Sequence, residues 1–163
     1  MGVKSAQLPN PRELSGGTFA AFYGREYDRA VRLAWLLTGS LTAAEDVVQD
    51  AMTGVYRAFD RLDSPQAYLR RAVVNRAKSR GRADRRHREE VALVEEQPRL
   101  DSADSELLTL ISRLPYRQRV VIITRYWGDW SEREIAAALG CRPGTVKSLA
   151  SRALDRLRTE VEP

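Results

Sequence analysis

The stretch that decides the fold of this chain is residues 131–154, which read SEREIAAALGCRPGTVKSLASRAL. A small residue, Ala136, stands where two helices could touch, and Gly140 can adopt the positive φ that a tight turn needs. Beyond the turn, Pro143 can begin a second helix, and Val146 can lock that helix against the first. These features occur in register, and together they predict a helix-turn-helix.

The second helix of this motif carries hydroxyl and cationic side chains on the side away from Val146. Such groups hydrogen-bond base edges and phosphates in the major groove of DNA. We therefore predict a duplex-DNA contact set made of Arg142, Thr145, Lys147, Ser148, Ser151 and Arg152. The alternative interpretation is a plain helical hairpin with a polar surface.

In the first half of the chain, apolar residues recur at every third or fourth position, which is the spacing of amphipathic helices. The first predicted helix is capped by Thr18 and ends at Gly39. The second is predicted to begin with a capping box at Thr42–Glu45, and the third with Ser64–Pro65. Three amphipathic helices joined by short turns predict a compact bundle.

Two further helices are predicted before the helix-turn-helix. Leu107–Leu114 indicates a short helix that Pro115 ends. Residues 117–127, RQRVVIITRYW, predict another helix, although the β-branched run is also compatible with a strand. Ser131 and Glu134 then have the spacing of a capping box, which would begin the first helix of the motif.

The charge distribution divides the chain. The 163 residues carry a formal net charge of +5. Residues 66–88 contain nine basic side chains against Asp84 alone, whereas residues 89–104 contain six acids against one arginine. This reversal beside Pro98 predicts a solvated linker. The expected organisation is an all-α chain with an N-terminal tail (1–13), a three- to four-helix bundle (14–88), a flexible acidic linker (89–104) and a helix-turn-helix domain (105–160).

Several function classes are disfavoured. The single Cys141 and the single His87 have no companions at metal-ligand spacing, so we expect neither a metal nor another cofactor. We find no Ser/His/Asp set and no glycine-rich phosphate loop, so we expect no catalytic residue and no enzyme. No apolar run approaches the roughly 20 residues of a membrane helix, and the N-terminus lacks the apolar core of a signal peptide. We therefore expect a cytoplasmic protein without membrane insertion.

The third predicted helix is strongly basic and also carries an aromatic residue. Tyr68 lies among Arg70, Arg71, Asn75 and Lys78, so that one helix offers a stacking surface, an amide and cations. That combination is typical of a face that binds single-stranded nucleic acid. The alternative is a solvated charged face with Tyr68 in the core.

The second predicted helix has an acidic polar face between its apolar positions. Its members are Glu45, Asp46, Gln49 and Asp50. Carboxylates repel DNA, so this face suits either a protein partner or solubility alone.

The order of these segments closely resembles bacterial sigma factors of the extracytoplasmic-function (ECF) group, in the sigma-70 family. The resemblance covers residues 19–158 and rests on AEDVVQDAMTGVYRAFDRL (44–62), SPQAYLRRAVVNRAKS (64–79) and LPYRQRVVIITRYWGDWSEREIAAALGCRPGTVKSLASRALDRLR (114–158). It implies an alternative sigma factor that binds core RNA polymerase, directs it to specific promoters and promotes strand opening. It also implies an anti-sigma factor as a further partner.

The resemblance assigns roles to individual residues. It implies that Glu45, Asp46, Gln49 and Asp50 bind core polymerase. It implies that the unpaired minus-ten element is bound by Asp60, Arg61, Ser64, Tyr68, Arg71, Asn75 and Lys78. The minus-thirty-five duplex would be read by Arg142, Thr145, Lys147, Ser148, Ser151 and Arg152. Many relatives carry tryptophan where Tyr68 stands, which leaves the promoter sequence open.

A second function remains compatible with the residues. An autonomous helix-turn-helix regulator would bind a duplex operator without polymerase, usually as a symmetric dimer. The N-terminal helices would then form a dimerisation bundle. The basic, aromatic-bearing third helix argues against this alternative, because a dimer interface would not favour it.

Overall fold

A computed structural model describes residues 18–88 and 102–161, and every regular element in these two stretches is helical. The helices are α1 (Phe19–Thr38), α2 (Leu41–Ala58), a short 3₁₀ turn (Phe59–Arg61), α3 (Pro65–Arg88), α4 (Ser102–Arg113), α5 (Tyr116–Tyr126), α6 (Glu132–Leu139) and α7 (Pro143–Val161). The predicted all-α fold class is confirmed. Within the described residues, no helix is both long and apolar enough to cross a bilayer.

The ends of α1 are those that the sequence predicts. The Thr18 hydroxyl oxygen accepts a hydrogen bond from the Ala21 N–H at 3.2 Å. At the other end, Gly39 has a left-handed backbone (φ 75°) and donates its N–H to the Trp35 carbonyl. An L-residue with a side chain would be strained in that conformation, which explains the glycine.

The predicted start of α2 is wrong. The helix begins at Leu41, and its N-cap is Ser40, whose hydroxyl oxygen accepts from the Ala43 N–H at 3.2 Å. Thr42 therefore lies inside the helix and forms no capping box with Glu45. The reason is local: the turn at Gly39 leaves Ser40 in the extended conformation (φ −134°, ψ 128°) that an N-cap adopts.

The third helix starts where the sequence predicts. The Ser64 hydroxyl oxygen accepts from the Ala67 N–H at 3.2 Å, and Pro65 occupies the first helical position. The α1, α2 and α3 helices pack on one another around a core that includes Ala34, Val48, Ala51, Val55 and Val73, each fully buried. With its single 3₁₀ turn, this unit has the form of the predicted bundle.

The β-branched run in residues 117–127 lies in a helix. Seven consecutive residues of α5, Gln118–Thr124, are buried. A helix covered on all sides needs no polar stripe, and it therefore lacks the clear amphipathic pattern that distinguishes a helix from a strand. Helices α4, α6 and α7 surround α5 in the C-terminal unit.

The helix-turn-helix is formed by α6 and α7, as predicted. Ser131 and Glu134 form the capping box: the Ser131 N–H donates to Glu134 Oε2 at 2.7 Å, and the Glu134 N–H donates to Ser131 Oγ at 3.2 Å. Gly140 takes a positive φ of 62° in the turn. Ala136 and Val146 are buried where the two helices meet.

The N-terminal and C-terminal units pack against each other, with α3 on α6 and α1 on α5. The Tyr116 hydroxyl donates to the Val74 carbonyl, and the Arg119 guanidinium donates to the Leu37 carbonyl at 3.1 Å. We call this contact between the two units the joint. The predicted tail lies outside the described residues, as do residues 89–101 of the predicted linker, and α4 begins at Ser102.

Candidate nucleic-acid and protein interfaces

The outer side of α7 carries the predicted duplex-DNA set. Val146, Ala150 and Ala153 are buried against the rest of the C-terminal unit and fix the rotation of the helix. The α7 residues Thr145, Lys147, Ser148, Ser151 and Arg152 are exposed as a result, and Arg142 is exposed in the turn that precedes the helix. The structure thus brings hydroxyls and cations together on one face, as an element that enters a major groove requires.

Two members of this set also have partners within the protein. Lys147 Nζ lies 3.8 Å from Glu132 Oε2, but the lysine side chain is 71% exposed, so the pair is weak and easily exchanged for a phosphate. The Ser148 hydroxyl donates to the Gly144 carbonyl at 3.2 Å, and its oxygen can still accept.

Four of the predicted single-strand contacts form one stripe on α3. Tyr68, Arg71, Asn75 and Lys78 follow one another at intervals of three or four residues, and all four are exposed. The opposite side of the helix is buried through Leu69, Ala72, Val73 and Ala77. The ring of Tyr68 is therefore at the surface, with 38% of the residue exposed, rather than in the core.

The remaining three predicted contacts lie in the turn that leads into α3. Asp60, Arg61 and Ser64 are exposed. The Ser64 hydroxyl caps α3, and Arg61 Nη2 donates to the Arg57 carbonyl at 3.3 Å. These bonds hold the turn in place beside the start of the stripe.

Arg70 departs from the sequence-based grouping. It lies on another side of α3 and points to the C-terminal unit, where its guanidinium carbon is 4.5 Å from the centroid of the Trp130 ring. Its Nη1 also forms an ion pair with Glu134 Oε1. The Ser131 N–H and, after it, Arg70 hold the pKa of the Glu134 carboxyl below its usual range. Arg70 therefore belongs to the joint.

The acidic face of α2 is exposed and is partly engaged by neighbouring helices. Glu45, Asp46, Gln49 and Asp50 all lie on the surface. Asp46 Oδ2 accepts from Arg80 Nη2 at 2.9 Å, across a cavity of about 420 Å³ between α2 and α3 that Asp50 and Asn75 also line. The acidic face and the basic helix are thus adjacent.

Gln49 has two tyrosine partners that were not predicted from the sequence. Its Nε2 lies 3.3 Å from both the Tyr23 and the Tyr27 hydroxyls. The two rings stack with centroids 4.9 Å apart and an interplanar angle of 19°. Partial burial raises the pKa of the Tyr27 hydroxyl above its ordinary value. The spacing of these tyrosines, four apart on one helix, was the available signal.

Known proteins share both units. The family model described as Sigma-70 region 2 matches residues 22–87, and that described as Sigma-70, region 4 matches residues 104–157. The chain is 34% identical over 154 residues to the RNA polymerase sigma-E factor of Streptomyces avermitilis, covering 88% of this chain and 85% of that protein. It is 33% identical over 134 residues to the ECF RNA polymerase sigma factor RpoE of Cereibacter sphaeroides, covering 74% of each.

A solved structure agrees with these matches. The chain is similar to the sigma factor RpoE from Bartonella quintana, solved in complex with the anti-sigma factor NepR, with a TM-score of 0.71 and 26% identity. The similarity covers 89% of this chain and 98% of that one. Because the matches span both helical units in their order along the sequence, the chain belongs to the sigma-70 family of bacterial sigma factors, in its extracytoplasmic-function group.

Proposed function

We propose that this chain acts as an alternative sigma factor, which binds core RNA polymerase, directs it to specific promoters and promotes strand opening. The observation that carries the proposal is the presence, on one chain, of two exposed faces of different composition, each suited to a different form of nucleic acid. The α3 stripe combines an aromatic ring, an amide and cations, whereas the α7 face combines hydroxyls and cations. The first composition suits unpaired bases, and the second suits a duplex groove.

Strand opening by this route needs no catalytic group. Preferential binding of the separated strands shifts the equilibrium toward them. Stacking one base on an aromatic side chain is worth about 1–3 kcal/mol, and disrupting a base-pair step costs about 1.4 kcal/mol. Capture of a few minus-ten bases by Tyr68, Arg71, Asn75 and Lys78, with the turn at Asp60, Arg61 and Ser64, is therefore enough to tip the balance.

The upstream duplex supplies the second part of promoter selection. A good bidentate base contact is worth about 1–3 kcal/mol of discrimination, so the α7 face alone should bind weakly. Once both units are held on polymerase, each raises the effective concentration of the other at the promoter. Firm and selective binding is therefore expected of the holoenzyme rather than of the free chain.

The acidic face of α2 is our proposed contact with core polymerase. Asp46 is paired with Arg80, but both side chains are about half exposed, at 55% and 45%. A pair this exposed is worth about 0.2–1 kcal/mol, so exchanging Arg80 for a basic group on polymerase costs little. Glu45 and Asp50 would contribute from the same face, and Gln49 is held in place by Tyr23 and Tyr27.

Promoter binding requires the joint to open. Positions −10 and −35 are about 25 base pairs apart, which corresponds to about 85 Å of duplex at about 3.4 Å per pair. A compact chain of this length has a radius of gyration of about 15 Å, and it is too small to reach both elements at once. Residues 89–101 could span at most about 45 Å when extended, which gives the separated units the reach they need.

We further propose that an anti-sigma factor restrains this chain, since a sigma factor of the same fold is solved with one. A cleft of about 460 Å³ lies at the joint and is lined by Arg29 and Arg32 together with Leu33, Leu36 and Trp127. This combination of cationic and apolar side chains would suit a peptide partner. As a subunit of the transcription machinery the protein would work in the bacterial cytoplasm and would not itself be an enzyme.

Run-off transcription with purified bacterial core polymerase tests the proposal. The template is a promoter selected from a randomised DNA pool by the reconstituted holoenzyme. We expect a discrete transcript only when both the chain and core are present. If the free chain instead occupies a palindromic site as a dimer and does not associate with core, the autonomous-regulator alternative is correct.

A further inference from the structure

Gly54 lies in the interior of α2, at a position where a glycine is costly. The helix runs from Leu41 to Ala58, and Gly54 has helical neighbours on both sides. Its φ is not positive, so backbone conformation does not require a glycine there. Alanine would be the better helix former at such a position. The glycine therefore needs another explanation.

The explanation lies in what a side chain at this position would touch. A Cβ on Gly54 would lie 3.1 Å from the Tyr68 hydroxyl oxygen, 3.4 Å from Cε1 and 3.7 Å from Cζ. The ring of Tyr68 thus rests directly on the α2 backbone at Gly54. Even the smallest side chain would push the ring outward by a few tenths of an ångström.

We propose that Gly54 is a positioning residue for minus-ten recognition. Because Gly54 has no side chain, the Tyr68 ring can lie against the α2 backbone, and this contact, which we call the seat, determines how far the ring projects from the surface. The inference rests on the proposed role of Tyr68 as a stacking platform. One part of the ring lies on α2 while 38% of the residue faces solvent. A platform held in this way presents its free surface to a base without losing side-chain entropy on binding.

The chain supplies a matched control at Gly24. This glycine lies in the interior of α1 and is exposed, and a Cβ added to it would have nothing within 4 Å. Substitution there changes helix propensity by a similar amount and does not touch Tyr68. We therefore compare Gly54→Ala with Gly24→Ala, and Gly54→Val with Gly24→Val. The comparison distinguishes the effect of displacing the Tyr68 ring from the effect of changed helix propensity.

The assay measures holoenzyme affinity for a fluorescent single-stranded oligonucleotide. The probe carries the minus-ten non-template sequence that wild-type holoenzyme selects from a randomised pool. We expect about a threefold loss for Gly54→Ala, because a small displacement of the ring forfeits part of what one stacked base contributes, and about a tenfold loss for Gly54→Val, which lies within the range of that contribution. The Gly24 variants should stay within about twofold of wild type, and affinity for the upstream duplex should be unchanged in all four.

A double-mutant cycle with Tyr68→Phe locates the effect. Phenylalanine lacks the hydroxyl oxygen, the atom nearest to the added Cβ, and leaves the next atom at an ordinary contact distance. Gly54→Ala should therefore cost less than about twofold when measured against Tyr68→Phe. An equal loss in both backgrounds, or equal losses for the Gly54 and Gly24 variants, would overturn the inference.

Two further results separate this inference from the proposed function. If Tyr68→Ala leaves the affinity for the single strand unchanged, the proposed role of Tyr68 in binding bases is wrong, and the positioning role of Gly54 fails with it. If Tyr68→Ala weakens binding while both Gly54 variants do not, only the seat is wrong. Should Gly54→Ala lose helical content, recovery in the Gly54→Ala, Tyr68→Phe double variant supports the seat, and failure to recover refutes it.

Discussion

Replacing Arg70 with alanine should open the joint. The change removes the guanidinium from the Trp130 ring and from the Glu134 carboxylate, while Glu134 keeps its capping bond to Ser131. Substitution of Glu134 would disturb the cap of α6 as well, which makes Arg70 the cleaner position. Arg71→Ala is the matched control, because it removes the same charge from an exposed position on the same helix.

The size of the effect follows from the exposure of the two contacts. The Arg70 and Glu134 side chains are 21% and 42% exposed, so screening limits the ion pair to about 0.5–1 kcal/mol. The contact with the Trp130 ring is worth about 0.5–1 kcal/mol. Together they stabilise the closed arrangement by about 1–2 kcal/mol, which changes the ratio of closed to open molecules by about 5- to 30-fold.

Two measurements check this prediction. X-ray scattering should give a radius of gyration of about 15 Å for a compact wild-type chain and a larger value for Arg70→Ala. In the proposed function core polymerase holds the two units apart, so the open state is the one that core binds, and the apparent affinity for core should rise by up to the same factor. If both quantities match those of wild type and Arg71→Ala, Arg70 does not hold the joint and the reasoning fails.

Three further outcomes are expected. The pKa of Glu134 in the folded protein is depressed, so the carboxylate contributes its full stability above the ordinary pKa of 4.5 and loses that contribution as the pH falls through the lower folded-state pKa. The difference in thermal midpoint between wild type and Glu134→Gln should therefore be present at neutral pH and vanish in acid. Arg152→Ala should weaken holoenzyme binding to the upstream duplex about tenfold and leave core binding intact, as measured by band shift and pull-down, and a loss of core binding would contradict the assignment of α7. Asp50→Arg should abolish pull-down of core polymerase and leave the circular dichroism spectrum unchanged. Normal pull-down would exclude the acidic face of α2 as the contact with core.

The features predicted correctly from the sequence are those encoded within a few residues. Thr18 and Gly39 bound α1, and Ser131 with Glu134 begins α6, because a cap and its acceptor are close neighbours in the chain. The start of α2 was missed because two hydroxyl residues, Ser40 and Thr42, could each cap it. The backbone conformation that follows Gly39 decides between them, and it is not visible in the residue types.

The contacts of the candidate interfaces depend on distant residues and could not be predicted in this way. Arg70 is 64 positions from Glu134, and helical periodicity separates it from Arg71 without indicating which distant residue it contacts. Only the packing of α3 on α6 directs one arginine into the joint and leaves the other exposed. Exposure of Arg71, Asn75 and Lys78 was predictable, in contrast, because helical periodicity separates them from the buried side, whereas the sequence left open whether Tyr68 lies at the surface or in the core.

The joint combines polar and apolar contacts, and the two kinds respond differently when the units separate. Arg119 is buried there, and its guanidinium donates across the joint to the Leu37 carbonyl and, within the C-terminal unit, to the carbonyls of Ser112 and Leu114. Tyr116 and Arg70 add a hydroxyl and a second cation. Once the units separate, water can replace the Arg119 bond to Leu37 and the Tyr116 bond to Val74, so these polar groups exchange one partner for another. The apolar side chains that line the joint, among them Leu36 and Trp127, gain no such partner from water, and they therefore favour its closing again.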